Sequence, residues 1–505
     1  MRKLLVFLIV LLFVATSTYA QKSNTIKILH AKKLTEGRSA NHQKLVGNVG
    51  LQNKDMQLFC DSAEVDNINN AFWAWGKVYI IKSNNLKAYG DSLVYNNYTG
   101  IGKLQGKSVK VTQKDLTILT NVLNFDDSKK QIFYLNGATI TNAETKIVSK
   151  LGYYNTQTEF MDLIGKVFID NPDYKIWGDT IIVDSPNEIT RFYGKTNIHT
   201  KDQKIYCERG LHNDKNEIFH FVKKASIKGD ENTICADSIY VNKKKKISWA
   251  FKNVQILDSI NQLTVYGNVA YFNQKDSNSY VSRNPWMTQV LDGDTLWVRC
   301  DTIKAIDKKK IKEFYAYHNV KMFKKDMQGV CDSLSYSLSD SIMRMYRNPI
   351  LWSEESQMKG DTIQILTARN KIKNLYLFSN ASIINEQDKE EEFYDQIVGR
   401  NMIADFKEGK IHTMSVLGNG QTLYYAKDND STYSGVNKAI CSNLSIRFNK
   451  GKIGKIVFLL QPEATFYPVN QLPAEDKKLK QFTWHGDRRP KSYLEIINSK
   501  STLKK

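Results

Sequence analysis

"MQGVCDSLSYSLSDSIMRMYRNPILW" occupies Met327–Trp352, and its core "CDSLSY" has a near twin in "GDSLVY" at Gly90–Tyr95. A small residue, an acid, a hydroxyl and an apolar pair return after more than two hundred residues. An active site needs such a phrase once. A repeated structural unit needs it in every copy, so internal periodicity is the first thing to look for.

Aligned on the acid, the phrase recurs as "CDSAEV" (Asp61), "GDSLVY" (Asp91), "GDTIIV" (Asp179), "CERGLH" (Glu208) and "ADSIYV" (Asp237). It continues as "CDTIKA" (Asp301), "CDSLSY" (Asp332) and "GDTIQI" (Asp361). Successive intervals include 30, 29, 29, 31 and 29 residues. The wide interval from Asp91 to Asp179 reads as skipped or degenerate copies, and "GRNMIADF" and "CSNLSIRF" as later copies after insertions.

Each copy has one grammar. The acid is followed by an alternating run such as "SLVYN" or "SIYVN", which marks a strand with one buried face. A polar cluster such as "DNINNA" or "NDKNEI" follows, rich in the Asp and Asn that tight hairpins favour. A second alternating run, such as "WGKVYII" or "YHNVKMF", closes the copy. No window sustains a helical period, so the expected fold is all-β: an elongated repeat stack of antiparallel strands, about thirty residues per repeat. With two strands per copy and about fourteen copies, the stack would extend to about 130 Å.

The grammar reassigns three features with other possible meanings. The net charge of +20 invites an acidic partner, but Lys243–Lys246 and Lys308–Lys310 fall on hairpin turns, where charge is solvated. They are not interleaved with aromatics as a nucleic-acid groove requires, and no nucleic-acid partner is expected. Cys60, Cys207, Cys300, Cys331 and Cys441 precede the acid position, where Gly90, Gly178, Gly360 and Gly399 stand in other copies. Such a slot asks for a small buried residue, and free Cys suits it better than a disulfide. The acids Asp61, Asp91, Asp179, Asp237, Asp301, Asp332 and Asp361 are expected to accept hydrogen bonds at bends, not to act as bases. No metal site, cofactor or catalytic residue is expected. His485 in "FTWHGDRRP" reads as part of a folded cap or docking surface.

The first twenty residues, "MRKLLVFLIVLLFVATSTYA", have a basic start, an apolar run and small residues up to Ala20. That is the layout of a secretory signal peptide, so an exported, periplasmic protein is expected, either free or associated with the outer membrane. The expected organisation is a signal peptide over 1–20, repeats over 21–275 and 276–460, and a Pro-rich irregular segment over 461–505.

"LVGNVGLQNKDMQLFCDSAEVD" and "AWGKVYIIKSNNLKAYGDSLVYN" resemble the OstA/LptA family of periplasmic lipopolysaccharide-transport proteins. The resemblance runs from about Thr25 to Leu460, and "PEATFYPVNQLPAEDKKLKQFTWHGDRRPKS" resembles the C-terminal segment of long OstA-like proteins. It implies a β-jellyroll or β-taco whose apolar inside carries the acyl chains of lipopolysaccharide toward the outer membrane. It also implies head-to-tail strand pairing with inner- and outer-membrane Lpt-type partners. The chain is longer than a typical LptA and lacks the barrel strands of an outer-membrane translocon.

Alternation places Val49 with Leu51, Val78 with Ile80, Leu93 with Tyr95, Ile239 with Val241, and Leu334 with Tyr336 on shared faces, as candidates for a lipid groove. The same pattern would line the packed core of a structural or adhesive β-solenoid. A carbohydrate-active β-helix enzyme is disfavoured, because the acids follow the repeat instead of clustering.

Overall fold

The structure, a computed structural model, describes residues 26–499 except 54–55, 292, 309–310, 370, 408–409, 430–431 and 450–451. The signal-peptide reading of residues 1–20 lies outside the described residues. Two compact units meet in sequence at Thr190 and Arg191.

The first unit is an antiparallel meander in which successive strands pair. His42–Asn53, Met56–Asp66, Ala71–Lys82, Leu86–Asn96, Ile101–Gln113 and Leu116–Asp126 are each 11 to 13 residues long. Strands do not run straight through. Register shifts fall between Val46 and Val49, between Trp75 and Val78, and between Ile164 and Val167. At each shift two consecutive residues turn left-handed: Gly47–Asn48, Gly76–Lys77 and Gly165–Lys166. Gly and Asn tolerate that conformation best, so the sequence marks the corner with them. Each strand is thereby divided into two arms.

The arms fold onto each other. An eleven-residue strand laid flat would hold its ends about 36 Å apart. Yet Asn53, at the end of one strand, donates its Nδ2 to Oδ1 of Asn97, in the turn beyond the opposite end of the third strand along, at 2.7 Å. The space between the arms is filled by two apolar surfaces. One carries the register row Leu51, Leu58, Ile80, Ala88, Val111 and Ile118; the other carries Ala63, Ala74, Leu93, Leu104 and Leu123. All eleven are at most 2% exposed. The outer surface is also ordered: Phe59, Tyr79 and Tyr89 stack across strands at 6.1 and 4.7 Å.

The second unit repeats the plan, with corners at Lys223–Lys224, Lys252–Asn253, His318–Asn319, Arg347–Asn348 and Ser379–Asn380. It ends in longer strands: Lys371–Asp388, Phe393–Lys407, Lys410–Asn429 and Thr432–Asn449, of 18, 15, 20 and 18 residues. Beyond the short strand Glu463–Tyr467 the chain becomes an irregular strap ending in a six-residue helix, Tyr493–Asn498. The strap crosses the unit's outer surface. Leu472 and Leu479 pack with Phe393, Val398, Leu423 and Tyr425. Three buried glutamines then hold the strap in turn, two by its backbone and one by a side chain. Gln396 bonds Lys477 O and Leu479 N, Gln357 bonds Thr483 O and His485 N, and Oε1 of Gln328 accepts from Arg489. Tyr493 closes the run by stacking on Trp297 at 4.8 Å.

Candidate functional site

The interior between the arms is the candidate site. Val49, Leu51, Val78, Ile80, Leu93 and Tyr95 all line it in the first unit, each 3% exposed or less. In the second unit Ile239 and Leu334 are buried, while Val241 and Tyr336 are half-buried. Two glycines make the interior possible. A Cβ on Gly152 would lie 2.3 Å from the Tyr134 hydroxyl, and one on Gly102 would lie 2.7 Å from the Tyr95 ring. Each gives up a side chain so that a neighbouring aromatic can reach inward.

The interior is shut. Leu334, Tyr336, Met287, Phe314 and Met343 border a cavity of about 20 Å³, and Leu351, Met358, Leu375 and Phe406 border one of about 30 Å³. Each has room for a water or two. A chain-like ligand gains access only if the arms part.

The corner explains the recurring phrase. Most of the acids face the left-handed residues of the following strand, 15 to 19 positions on, whereas Asp91 faces Gly106 and Lys107, which are not left-handed. Asp91 accepts the Lys107 amide at 2.9 Å, and Gly76 sits so close to Asp61 that a Cβ would meet its Oδ2 at 2.4 Å. In the second unit an Asn side chain supplies the donor: Asn253 to Asp237 at 3.1 Å, Asn319 to Asp301 at 2.8 Å, and Asn380 to Asp361 at 3.1 Å. Asp332 takes Ser333 and Arg347, and these donors with His318 hold its carboxyl below the usual range. Glu208 pairs with Lys224 at 3.0 Å. Asp179 also has partners within the structure.

The small slot before the acid points inward. All six cysteines are free, and five are buried. Cys60, Cys300 and Cys331 donate their thiols to the carbonyl two residues on, at 3.2 to 3.3 Å. Burial pushes the Cys60 thiol up to about 11 and those of Cys207, Cys300 and Cys331 up to about 12. Thr120 and Ser149 make the same bond, to Val122 O at 3.4 Å and Leu151 O at 3.1 Å. They are the degenerate copies between Asp91 and Asp179. Asn121 and Lys150 stand where the acid would be, and the hydroxyl in the slot is the trace that identifies them.

Among the described residues no group of His, Cys, Asp and Glu could hold a metal ion. The most displaced carboxyl is Asp395. Burial raises it to about 7, against the pull of the Tyr425 amide and the Gln387 side chain, which bond it at 2.8 and 2.7 Å. It satisfies a strand end where the ladder is interrupted.

Bent antiparallel strands closing on an apolar interior define an all-β repeat protein with an enclosed hydrophobic site. Residues 23–179 match the family described as OstA-like protein, a likeness that falls within the first unit. Among solved structures, the chain is similar to LptH, the LptA-homologous periplasmic component of the lipopolysaccharide transport device from Pseudomonas aeruginosa. That similarity has 13% identity and a TM-score of 0.21, over 23% of this chain and 82% of that one. The WD40 domain of SCAP from fission yeast aligns at 9% identity and a TM-score of 0.11, over 83% and 97%. Both scores are low, and the family match carries the weight. No curated protein sequence matches the chain.

Proposed function

We infer that the chain is a periplasmic carrier of lipopolysaccharide or a related lipid, holding acyl chains between its arms on the way to the outer membrane. The observation that carries this reading is the pair of facing apolar surfaces in a segment that matches the OstA-like family. An acyl chain needs a long, uniformly apolar lining, and the row from Leu51 to Ile118 offers one with no charged residue in it. The arms are covalently continuous at the corners, while between the turns at their free ends the first unit shows side-chain contacts. Parting the arms at those ends therefore leaves the strand ladder intact.

Partners of the Lpt type would join by strand addition. Among the described residues, Lys27–His30 and Lys33–Glu36 pair only with His42–Asn53, and Lys452–Leu459 pairs only with Thr432–Asn449. Such one-sided strands present free backbone groups to another chain. A photo-crosslinking residue at Val78, introduced in cells, should capture lipopolysaccharide; capture from none of Val78, Ile80 or Leu93 would refute the carrier reading.

The closed interior favours a second reading, a structural or adhesive β-solenoid with a packed core. It predicts an intact outer-membrane barrier when the protein is depleted, whereas the carrier reading predicts a leaky one.

A further inference from the structure

The free ends of the arms in the first unit form two rims of turns, and the contacts between them keep a fixed stagger. Asn53 reaches Asn97, Lys82 pairs with Asp127, Gln113 Nε2 reaches Thr156 O, and Lys114 pairs with Glu159, at separations of 44, 45, 43 and 45 residues. A helical offset of this kind brings each turn of one rim against the second turn downstream on the other. Two lysines from adjacent hairpins therefore stand on the same rim, on the order of 10 Å apart along the stack.

Lys114 sits at a hairpin tip with its side chain 67% exposed, whereas the surroundings of Lys82 are of another kind. The Lys82 side chain is only 12% exposed, and its ammonium lies 5.5 Å from the centre of the Phe125 ring, which belongs to the interior. Its partner Asp127 also accepts from the hydroxyl of Tyr95, another interior residue, at 2.5 Å. On the same rim, the buried oxygens Asn53 Oδ1 and Gln113 Oε1 accept no hydrogen bond. A buried acceptor left unpaired is costly. Lys82 and two unused acceptors thus border the apolar interior, with the exposed Lys114 on the same rim.

Resting on the carrier reading, we propose that this rim is the headgroup site: Lys82 and Lys114 bind the phosphates of a phosphorylated amphiphile, while Asn53 and Gln113 accept from its hydroxyl or amide groups. With the interior empty, Asp127 and Glu159 occupy the lysines and latch the rims. When acyl chains enter, phosphate replaces carboxylate on each ammonium, and the latch opens without leaving a buried charge unpaired. The rims thereby couple admission of the ligand to recognition of its charge.

The test uses the full chain with a photo-crosslinker at Leu93. The probes are a hexa-acylated disaccharide lipid bearing two phosphates and the same lipid with both phosphates removed. Lys82→Met with Lys114→Met should lower capture of the phosphorylated probe by about tenfold. Capture of the dephosphorylated probe should be unchanged, and Lys82→Arg with Lys114→Arg should restore the first. Asp127→Asn with Glu159→Gln should raise capture of the phosphorylated probe. An equal loss for both probes, or no loss for either, overturns the assignment while leaving the carrier reading standing. Capture of neither probe by the unaltered chain removes the carrier reading itself, and the headgroup site falls with it.

Discussion

Asp61 and Gly76 show at the scale of single residues why the chain repeats its phrase. The corner needs left-handed backbone, a small inward residue and an acceptor for the exposed donors, so Gly or Asn, a small slot and an acid travel together. Gly76→Ala should destabilise the first unit by about 2 kcal/mol, since φ is +77° and the new Cβ would strike Asp61; the urea midpoint reads it. The slot predicts thiol behaviour too. With desolvated thiols raised to about 11 or 12, Cys60, Cys207, Cys300 and Cys331 should resist a thiol reagent at neutral pH. The half-buried Cys235 should react first, and all six should react in denaturant. Early labelling of the four would contradict the inward slot.

Asp395 sets a pH dependence. Its value of about 7 lies above the 3.8 of an unperturbed Asp, so in that window the folded chain keeps a proton that the unfolded chain has released. Its contribution to stability is full below about pH 4 and is lost as pH rises toward 7. Asp395→Asn should remove that dependence, with a difference from the unaltered chain on the order of 4 kcal/mol across the window. Urea midpoints measured from pH 4 to pH 8 test it: parallel curves for the two proteins would contradict the burial of Asp395.

At the scale of elements, the strands and hairpins were legible because burial imposes a two-residue alternation that chain composition cannot hide. The period was legible only where the slot and the acid both kept their type. Thr120–Asn121 and Ser149–Lys150 preserve the hydrogen bond but not the letters, so two copies read as missing. The pairing of three of the acids with an Asn 16 to 19 residues on was present in the sequence, as in Asp237 and Asn253, but becomes meaningful only once the corner is seen. The strap was not legible beyond its prolines. Gln328, Gln357 and Gln396 each stand three positions before a slot residue, yet they grip mainly backbone, which leaves no complementary side-chain pattern to find. Gln357→Ala strands Thr483 O and His485 N, and should loosen the strap by about 3 kcal/mol. Amide exchange at His485 would then accelerate on the order of a hundredfold. Unchanged protection would show that the strap is held by its apolar contacts instead.

For the molecule as a whole, the interior's lining follows from alternation, whereas its state does not. Core and cargo site share one sequence pattern, and the closed arms show an interior that must open before it can carry anything. On the carrier reading, the side-chain contacts between the rims of the first unit are what must part to admit a ligand. Adjacent residues on opposite faces give the sharpest discrimination: Leu93 is 1% exposed and points inside, while Val94 is 44% exposed and points out. Photo-crosslinkers placed at each in turn, in cells making lipopolysaccharide, should yield a lipid adduct from Leu93 and none from Val94. No adduct from Leu93, or equal adducts from both, would contradict a lipid-carrying interior.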